Sequence, residues 1–433
     1  MPPTLTSQQK PKGSKVNPGS ARRLLMLTHR VPFPPDRGDR IRSWNILKHL
    51  SKTNEMFLGC VSDEPVAPEI RIKLDSVCEK TSIATVGSKT KWIRAGISAS
   101  RGRSLTEGLF WSPALDRTLA RWTQEQQFDA VIIYCSSMLR YARRPHLKTI
   151  PHFVDLVDVD SQKFYEYADN AKSWKRAIYR TEATRVQRLE HDAVRLSKAV
   201  TLVSNAEAEV LCSTLQQEEH GVHGIANGVD TAYFAPQHPT PANKPHDSIE
   251  NPKLVFVGVM NYPPNVEALC WFAENVWPNL KKSYPNAELE IVGKHPNNEI
   301  LHLVKHDGMH VTGAVPDVRP HVAKADIVIA PLQIARGIQN KVLEALSMAK
   351  PVIASSKASH GINASHNEHL LIADTPSQWL HSIKECCESQ ELRQKLSQNA
   401  RDMICEQYTW QATLGKLNNL LDEHLPTTTP ETA

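Results

Sequence analysis

The segment Ala335-Arg-Gly-Ile-Gln-Asn-Lys-Val-Leu-Glu-Ala-Leu-Ser-Met-Ala-Lys-Pro-Val-Ile-Ala-Ser355 places a glycine turn, a short helix and a buried strand in direct succession. Gly337 permits a conformation or close approach denied to residues with a Cβ. Unpaired N–H groups at the start of the helix suit phosphate, and Glu344 lies near enough to that start to bond ligand hydroxyls. Such a carboxylate suits a ribose diol. The apolar runs Asp326-Ile-Val-Ile-Ala-Pro331 and Pro351-Val-Ile-Ala-Ser355 read as parallel strands on either side, so the whole is one βαβ crossover. In open α/β sheets the ligand lies beyond the carboxyl ends of such strands.

Three other stretches carry groups that could do chemistry. Pro32-Phe-Pro-Pro-Asp-Arg-Gly-Asp-Arg-Ile-Arg42 follows a strand and opens a helix at Gly38. There a helix N-terminus with Arg37 and Arg40 could hold a diphosphate, although a proline-rich turn alone is only a helix entrance. His152-Phe-Val-Asp-Leu-Val-Asp-Val-Asp-Ser161 brings Asp155, Asp158 and Asp160 together. Paired carboxylates suggest a metal, but Asp-x-Asp also opens loops and caps helices. Asp158 is read as a ligand contact, with helix capping as the alternative. Finally Lys89, Lys91, Arg94, Arg101 and Arg103 surround Trp92 and Ile93 with no acidic residue between Ser88 and Ser104. Cations beside Trp suit anionic lipid headgroups, and a solvated basic loop is the other reading.

The elements needed to position these groups are those of two α/β domains. At 433 residues the chain exceeds the usual single core. Strand and helix patterns alternate through Leu24 to Thr28, Gly38 to Ser51, Asp129 to Cys135, Phe153 to Val157 and Val200 to Val203, with a long helical zone from Gln162 to Lys198. A second series runs through Leu254 to Val259, Glu288 to Val292, His310 to Thr312, Asp326 to Ala330, Pro351 to Ala354 and Leu370 to Ala373. Residues 235–252, rich in proline, read as a linker. No apolar run approaches the roughly 20 residues that span a bilayer, and residues 1–21 lack the apolar stretch of a secretory signal. Eight cysteines show no Cys-x-x-Cys pairing, which fits a reducing cytoplasm. Residues 1–200 hold 34 Lys and Arg against 20 Asp and Glu, whereas residues 201–433 hold 17 against 26. The basic first half therefore suits an anionic surface or partner.

Gly337, Lys341-Val-Leu-Glu-Ala-Leu346 and Lys350-Pro-Val-Ile353 together resemble the nucleotide-sugar signature of retaining family-4 glycosyltransferases of the GT-B fold. Leu24 to Arg40 resembles that family's opening strand and loop, Asn227-Gly-Val-Asp230 its interdomain hinge, and Phe256 to Asn265 the first strand and loop of its second domain. Val157-Asp-Val-Asp-Ser161 and Ala335-Arg-Gly-Ile-Gln-Asn340 are similar to the sugar transferases of PEP-CTERM/exosortase exopolysaccharide systems. The resemblance implies two Rossmann-like domains facing each other across a cleft, with a C-terminal helix packing back on the first. The corresponding boundaries are a disordered tail over 1–21, a first domain over 22–226, hinge and linker over 227–252, a second domain over 253–407, a crossover helix over 408–424 and a polar tail over 425–433.

The resemblance further implies that Gly38, Arg37, Gly258, Asn265, Gly337, Gln339, Asn340 and Glu344 bind the donor. Two departures stand out. A second Glu, eight residues before Glu344 in the family, is here Arg336. The Arg and Lys that neutralise the leaving diphosphate in many members are here Val259 and Asn265. Arg336 and Lys341 are expected to supply that charge instead, and with Asp158 they form the expected catalytic set. No metal or cofactor is expected beyond a nucleoside-diphosphate sugar as co-substrate, and no nucleic-acid partner, since no such module is evident. The function implied is sugar transfer with retention to a growing, lipid-linked glycan in exopolysaccharide synthesis, on the cytoplasmic face of the inner membrane. A nucleotide-sugar epimerase and a non-catalytic nucleotide-binding scaffold are the alternatives.

Overall fold

The computed structural model describes residues 21–426 apart from 173, 216–220, 237–247 and 336. The expected disordered N-terminal tail and most of the expected linker and polar tail lie outside the described residues. The chain divides into two compact units. One takes in the described residues up to Leu156, then Asp160–Val200 and those from Asn418 onward. The other holds Val157–Val159 and Thr201–Leu417.

The first sheet has seven strands: β1 (Arg23–Thr28), β2 (Glu55–Ser62), β3 (Lys80–Thr85), β4 (Ala130–Tyr134), β5 (His152–Val157), β6 (Ala199–Leu202) and β7 (Val222–Gly224). Their order is β3-β2-β1-β4-β5-β6-β7, with parallel pairing from β3 through β5. Leu24 to Leu27 are all 0% exposed, as expected of a central parallel strand covered on both faces. The sequence pattern did not point to β2, β3 or β7. β3 (Lys-Thr-Ser-Ile-Ala-Thr) is a half-polar edge strand. β2 carries Gly59 in its interior, where an added Cβ would meet Leu27, Leu115 and Leu119 at 3.0 to 3.3 Å, so tight packing and not β propensity explains its composition. The long helical zone is two helices, Asp160–Asn170 and Trp174–Leu196.

The second sheet comprises β8 (Lys253–Val257), β9 (Glu288–Val292), β10 (Met309–Gly313), β11 (Ile327–Ala330), β12 (Val352–Ala354) and β13 (Leu371–Ile372). It is parallel throughout, in the order β10-β9-β8-β11-β12-β13. All six strands lie within two residues of their expected bounds. In each sheet the order reverses at its first strand, between β1 and β4 and between β8 and β11. Loops leaving adjacent strands there diverge and open a crevice at the carboxyl ends.

The last helix, Trp410–His424, packs back on the first unit, as expected: from Asn418 onward it counts with that unit, and Asp422 bonds Arg22 at 2.5 Å. At its start the Val229 N–H donates to the Tyr408 carbonyl at 2.7 Å, and a Cβ on Gly228 would lie 2.6 Å from the Trp410 nitrogen. The Asn227–Asp230 segment is thus held by close backbone contact.

Candidate functional site

Two strand ends at the β8/β11 switch point bring the principal groups together. Phe256 and Gly258 lie two residues apart and so share one face at the end of β8. The chain then turns into the Pro263–Asn275 helix, whose third residue is Asn265. β11 feeds the loop that ends at Gln339 and enters the Asn340–Ser347 helix. The Gln339 carbonyl accepts from the Val342 and Leu343 N–H groups at 2.9 and 3.3 Å, starting that helix.

Lys341, half-buried, donates from Nζ to Asn265 Oδ1 at 2.6 Å and lies 4.1 Å from the centroid of the Phe256 ring. Asn265 is only 5% exposed, and its Nδ2 donates to the Val259 carbonyl at 3.0 Å. That bond fixes the orientation of the amide, because a flipped side chain would set two acceptor oxygens against each other. Gly258 makes the arrangement possible: a Cβ there would lie 2.7 Å from Asn265 Nδ2 and 3.2 Å from Lys341 Nζ.

Glu344 lies one turn further along the same helix and is also half-buried. Burial pushes the Lys341 ammonium down to about 7, against the opposing pull of Glu344. It pushes the Glu344 carboxyl up to about 7, against the opposing pull of Lys341. Both shifts run in the direction that desolvation dictates, so neighbouring charge does not offset the burial of either group. A ligand that presents an anion to one and hydroxyls to the other would supply what each lacks.

The remaining expected residues fall in three places. Gly337 has φ +60°, and a Cβ there would meet Asp158 Oδ1 at 2.6 Å and Val203 at 2.9 Å, so Asp158 lies against the glycine turn. Asn340 accepts from Asn227 Nδ2 at 3.1 Å, which ties the helix start to the Asn227–Asp230 segment. Arg336 lies outside the described residues. In the first unit, Arg37 precedes the Gly38–Leu50 helix, and a Cβ on Gly38 would meet nothing within 4 Å.

The Arg37 guanidinium is 3.5 Å from Asp39, which also faces Arg30 at 3.4 Å and His29 at 3.7 Å. Burial drives His29 down to about 4, outweighing the carboxylate of Asp39, so its imidazole is neutral at pH 7. Asp155 has a different task from the cluster in which the sequence placed it. It takes a forked bond from Arg42, Nη2 to Oδ2 at 2.7 Å, with both side chains buried. Asp160 starts a helix and pairs with Lys163 at 3.0 Å. Among the described residues no group of three His, Cys, Asp or Glu side chains could hold a metal ion.

Sequence reasoning gave no side-chain role to Phe256 or Arg42, and Asn227 only a place in the expected hinge. For Phe256 a signal was present, since its two-residue spacing from Gly258 puts it on the same strand face. Asn227 and Arg42 act across 113 residues each, and nothing local in the sequence marks such pairs.

Comparison with known proteins finds a family match within the second unit and likeness of fold over most of the chain. Residues 251–389 match the family model described as glycosyl transferases group 1, and this domain holds Phe256, Gly258, Asn265, Gly337, Lys341 and Glu344. The fold is GT-B. The chain is similar to sucrose-phosphate synthase from Thermosynechococcus elongatus, with a TM-score of 0.68 and 14% identity over 93% of this chain and 98% of that one. It is likewise similar to HepE of Anabaena, solved with UDP and glucose, with a TM-score of 0.62 and 13% identity over 93% and 100% of the two chains. TarM aligns with a TM-score of 0.65 and 11% identity over 94% of this chain and 100% of that one. A Klebsiella pneumoniae protein described as an uncharacterized 44.6 kDa protein in the cps region is 26% identical over 168 residues. That match covers 37% of this chain and 43% of the relative, less than half of its length.

A carboxyl raised from 4.5 to about 7 by burial destabilises the fold once it is ionised. Between these values the folded protein binds more protons than the unfolded chain, so stability falls as pH rises through the window. Glu344→Gln should therefore stabilise the protein above pH 7, by about 1–2 kcal/mol after allowing for partial solvent access, and the gain should vanish near pH 4.5. Urea unfolding at pH 5 and pH 8 checks this. A variant less stable than wild type at pH 8 would show that the carboxylate is a net stabiliser.

Proposed function

We propose that the protein is a retaining glycosyltransferase that moves a sugar from a nucleoside-diphosphate donor to a growing, lipid-linked glycan in exopolysaccharide synthesis. The observation that carries the reading is the Lys341–Glu344 pair, one turn apart at a switch-point helix start inside the group 1 domain. Lys341 and the first N–H groups of that helix neutralise the leaving diphosphate, while ionised Glu344 accepts from the ribose diol. Arg336 adds charge to the diphosphate, and Asp158, beside Gly337, contacts the sugar or the acceptor. Retention follows if the leaving phosphate assists attack on its own face, which needs no nucleophile from the protein.

The cps-region relative supports a polysaccharide product, and UDP, present with HepE, is the first nucleotide to test. Glu344→Gln should lower kcat/KM about ten- to a hundredfold, because a lost bond to a charged group costs on the order of 1.5–3 kcal/mol. Steady-state kinetics with a panel of nucleotide sugars, and the anomeric configuration of the product by NMR, check activity and stereochemistry. Wild-type kinetics in this variant would remove Glu344 from the donor site. Donor binding without transfer to any acceptor would favour the scaffold reading.

The location proposed is the cytoplasmic face of the inner membrane, held peripherally. No helix among the described residues is long and apolar enough to cross a bilayer. The Ser88–Ser100 segment is a helix that leaves Trp92 and Ile93 each 63% exposed and Ile97 47% exposed. Lys91 is engaged with Asp63 at 3.1 Å and Arg94 with Thr90 at 3.2 Å. Arg101 and Arg103 follow, exposed. Trp and Ile beside cations suit the headgroup region of anionic lipid, where each cation contributes about 1 kcal/mol. The triple change Trp92→Ser, Arg101→Gln and Arg103→Gln should weaken binding to anionic vesicles at least tenfold and spare UDP affinity. Co-sedimentation at low and high salt measures it, and equal binding by the variant would exclude this helix as the docking element.

A further inference from the structure

Asn265 occupies a place where positive charge would assist a diphosphate, yet a carboxamide brings none. Its geometry gives it a different task. The side chain is buried, its Nδ2 is anchored on the Val259 carbonyl at 3.0 Å, and its Oδ1 takes the only short bond that Lys341 Nζ makes among the described residues, at 2.6 Å. The Phe256 ring lies beneath the same ammonium at 4.1 Å. Gly258 supplies the room, since a methyl there would press on both the amide and the ammonium. A long lysine side chain has many rotamers; an acceptor on one side and an aromatic face on another narrow them.

We propose that Asn265 is a positioning residue that acts through Lys341, aiming its ammonium at the diphosphate of the donor and favouring its charged form. The proposal rests on the nucleotide-sugar reading above for the identity of the ligand, but the contact itself does not. The amide oxygen can only accept, so it stabilises a protonated lysine more than a neutral one. Phe256 contributes in the same sense through its ring face. With the amide gone, the ammonium would lose its closest acceptor while remaining half-buried, and Lys341 would titrate at lower pH than in the wild type. The charged form, and its aim, would then be less available to an anion.

The test combines two readouts on the full chain. The titration of Lys341 in the free protein is followed by NMR of the lysine ε-methylene, assigned with Lys341→Met. UDP binding is measured by calorimetry for wild type, Asn265→Leu, Lys341→Met and the double variant. Asn265→Leu, close in size, should lower the Lys341 titration midpoint and weaken UDP binding about tenfold. In the Lys341→Met background the same change should alter UDP binding less than twofold. An equal loss in both backgrounds, or an unmoved titration in Asn265→Leu, would overturn the positioning role. Should Asn265→Leu fail to fold, Asn265→Ala, which removes the acceptor without touching Lys341, is held to the same two criteria. If wild type binds no UDP or other nucleoside diphosphate, the donor reading fails, while the titration alone decides whether Asn265 sets the state of Lys341.

Discussion

Half-burying a lysine and a glutamate one turn apart, at a helix start beyond two strand ends, is the constraint on which the rest of the second unit depends. Neither charge is fully offset by the other, as the downward shift of Lys341 and the upward shift of Glu344 show. The neighbours are selected to tolerate that cost. Asn265 supplies an acceptor, Phe256 a ring face, and Gly258 the absence of a side chain. Gly258 in turn needs Gly293 beside it, since a Cβ on Gly293 would fall 1.6 Å from the Gly258 carbonyl oxygen. Two glycines at the ends of β8 and β9 thus let the backbone close beneath the site. Stability given up in this way is consistent with a ligand site, where a bound ligand would complete the missing interactions.

The first unit solves a similar problem differently. Its Gly38–Leu50 helix is fixed to β5 by Arg42 and Asp155, a buried pair in which each charge is met by a forked bond. A pair of this kind is a weak source of net stability but a costly one to break on one side only. It holds the helix whose first residue is Gly38, with open space where a side chain would begin. Tyr134 adds a bond from its hydroxyl to the Asp39 carbonyl at 2.8 Å. Arg30 and Arg37 gather around Asp39 together with the neutral imidazole of His29.

Much of this was legible from the residues themselves, for reasons that differ between the two units. The strands of the second sheet are short apolar runs set between helices, so period and length sufficed to find all six. In the first sheet the edge strand β3 is half polar and β2 owes its glycine to a contact with Leu115 and Leu119, over fifty residues away, so neither carries a local signature. In the second unit, the spacing of Gly337, Lys341 and Glu344 marked the helix that the structure places at Asn340–Ser347. The bond of Asn265 to Lys341 was not readable, because it spans 76 residues. The three aspartates showed the opposite limitation: alike in sequence, they serve as an ion-pair partner for Arg42, a neighbour of Gly337 and a helix start.

The most direct test of the central claim is the number of protons exchanged when UDP binds, measured by calorimetry in buffers of different ionisation enthalpy at pH 6 and pH 8. With both groups near 7 in the free protein, Lys341 is mostly neutral and Glu344 mostly ionised at pH 8, and the reverse holds at pH 6. A diphosphate on Lys341 and a diol on Glu344 would draw both groups into their charged forms. Binding should therefore take up about one proton at pH 8 and release protons at pH 6. Proton exchange that keeps the same sign at both values, or none at pH 8, would contradict the account.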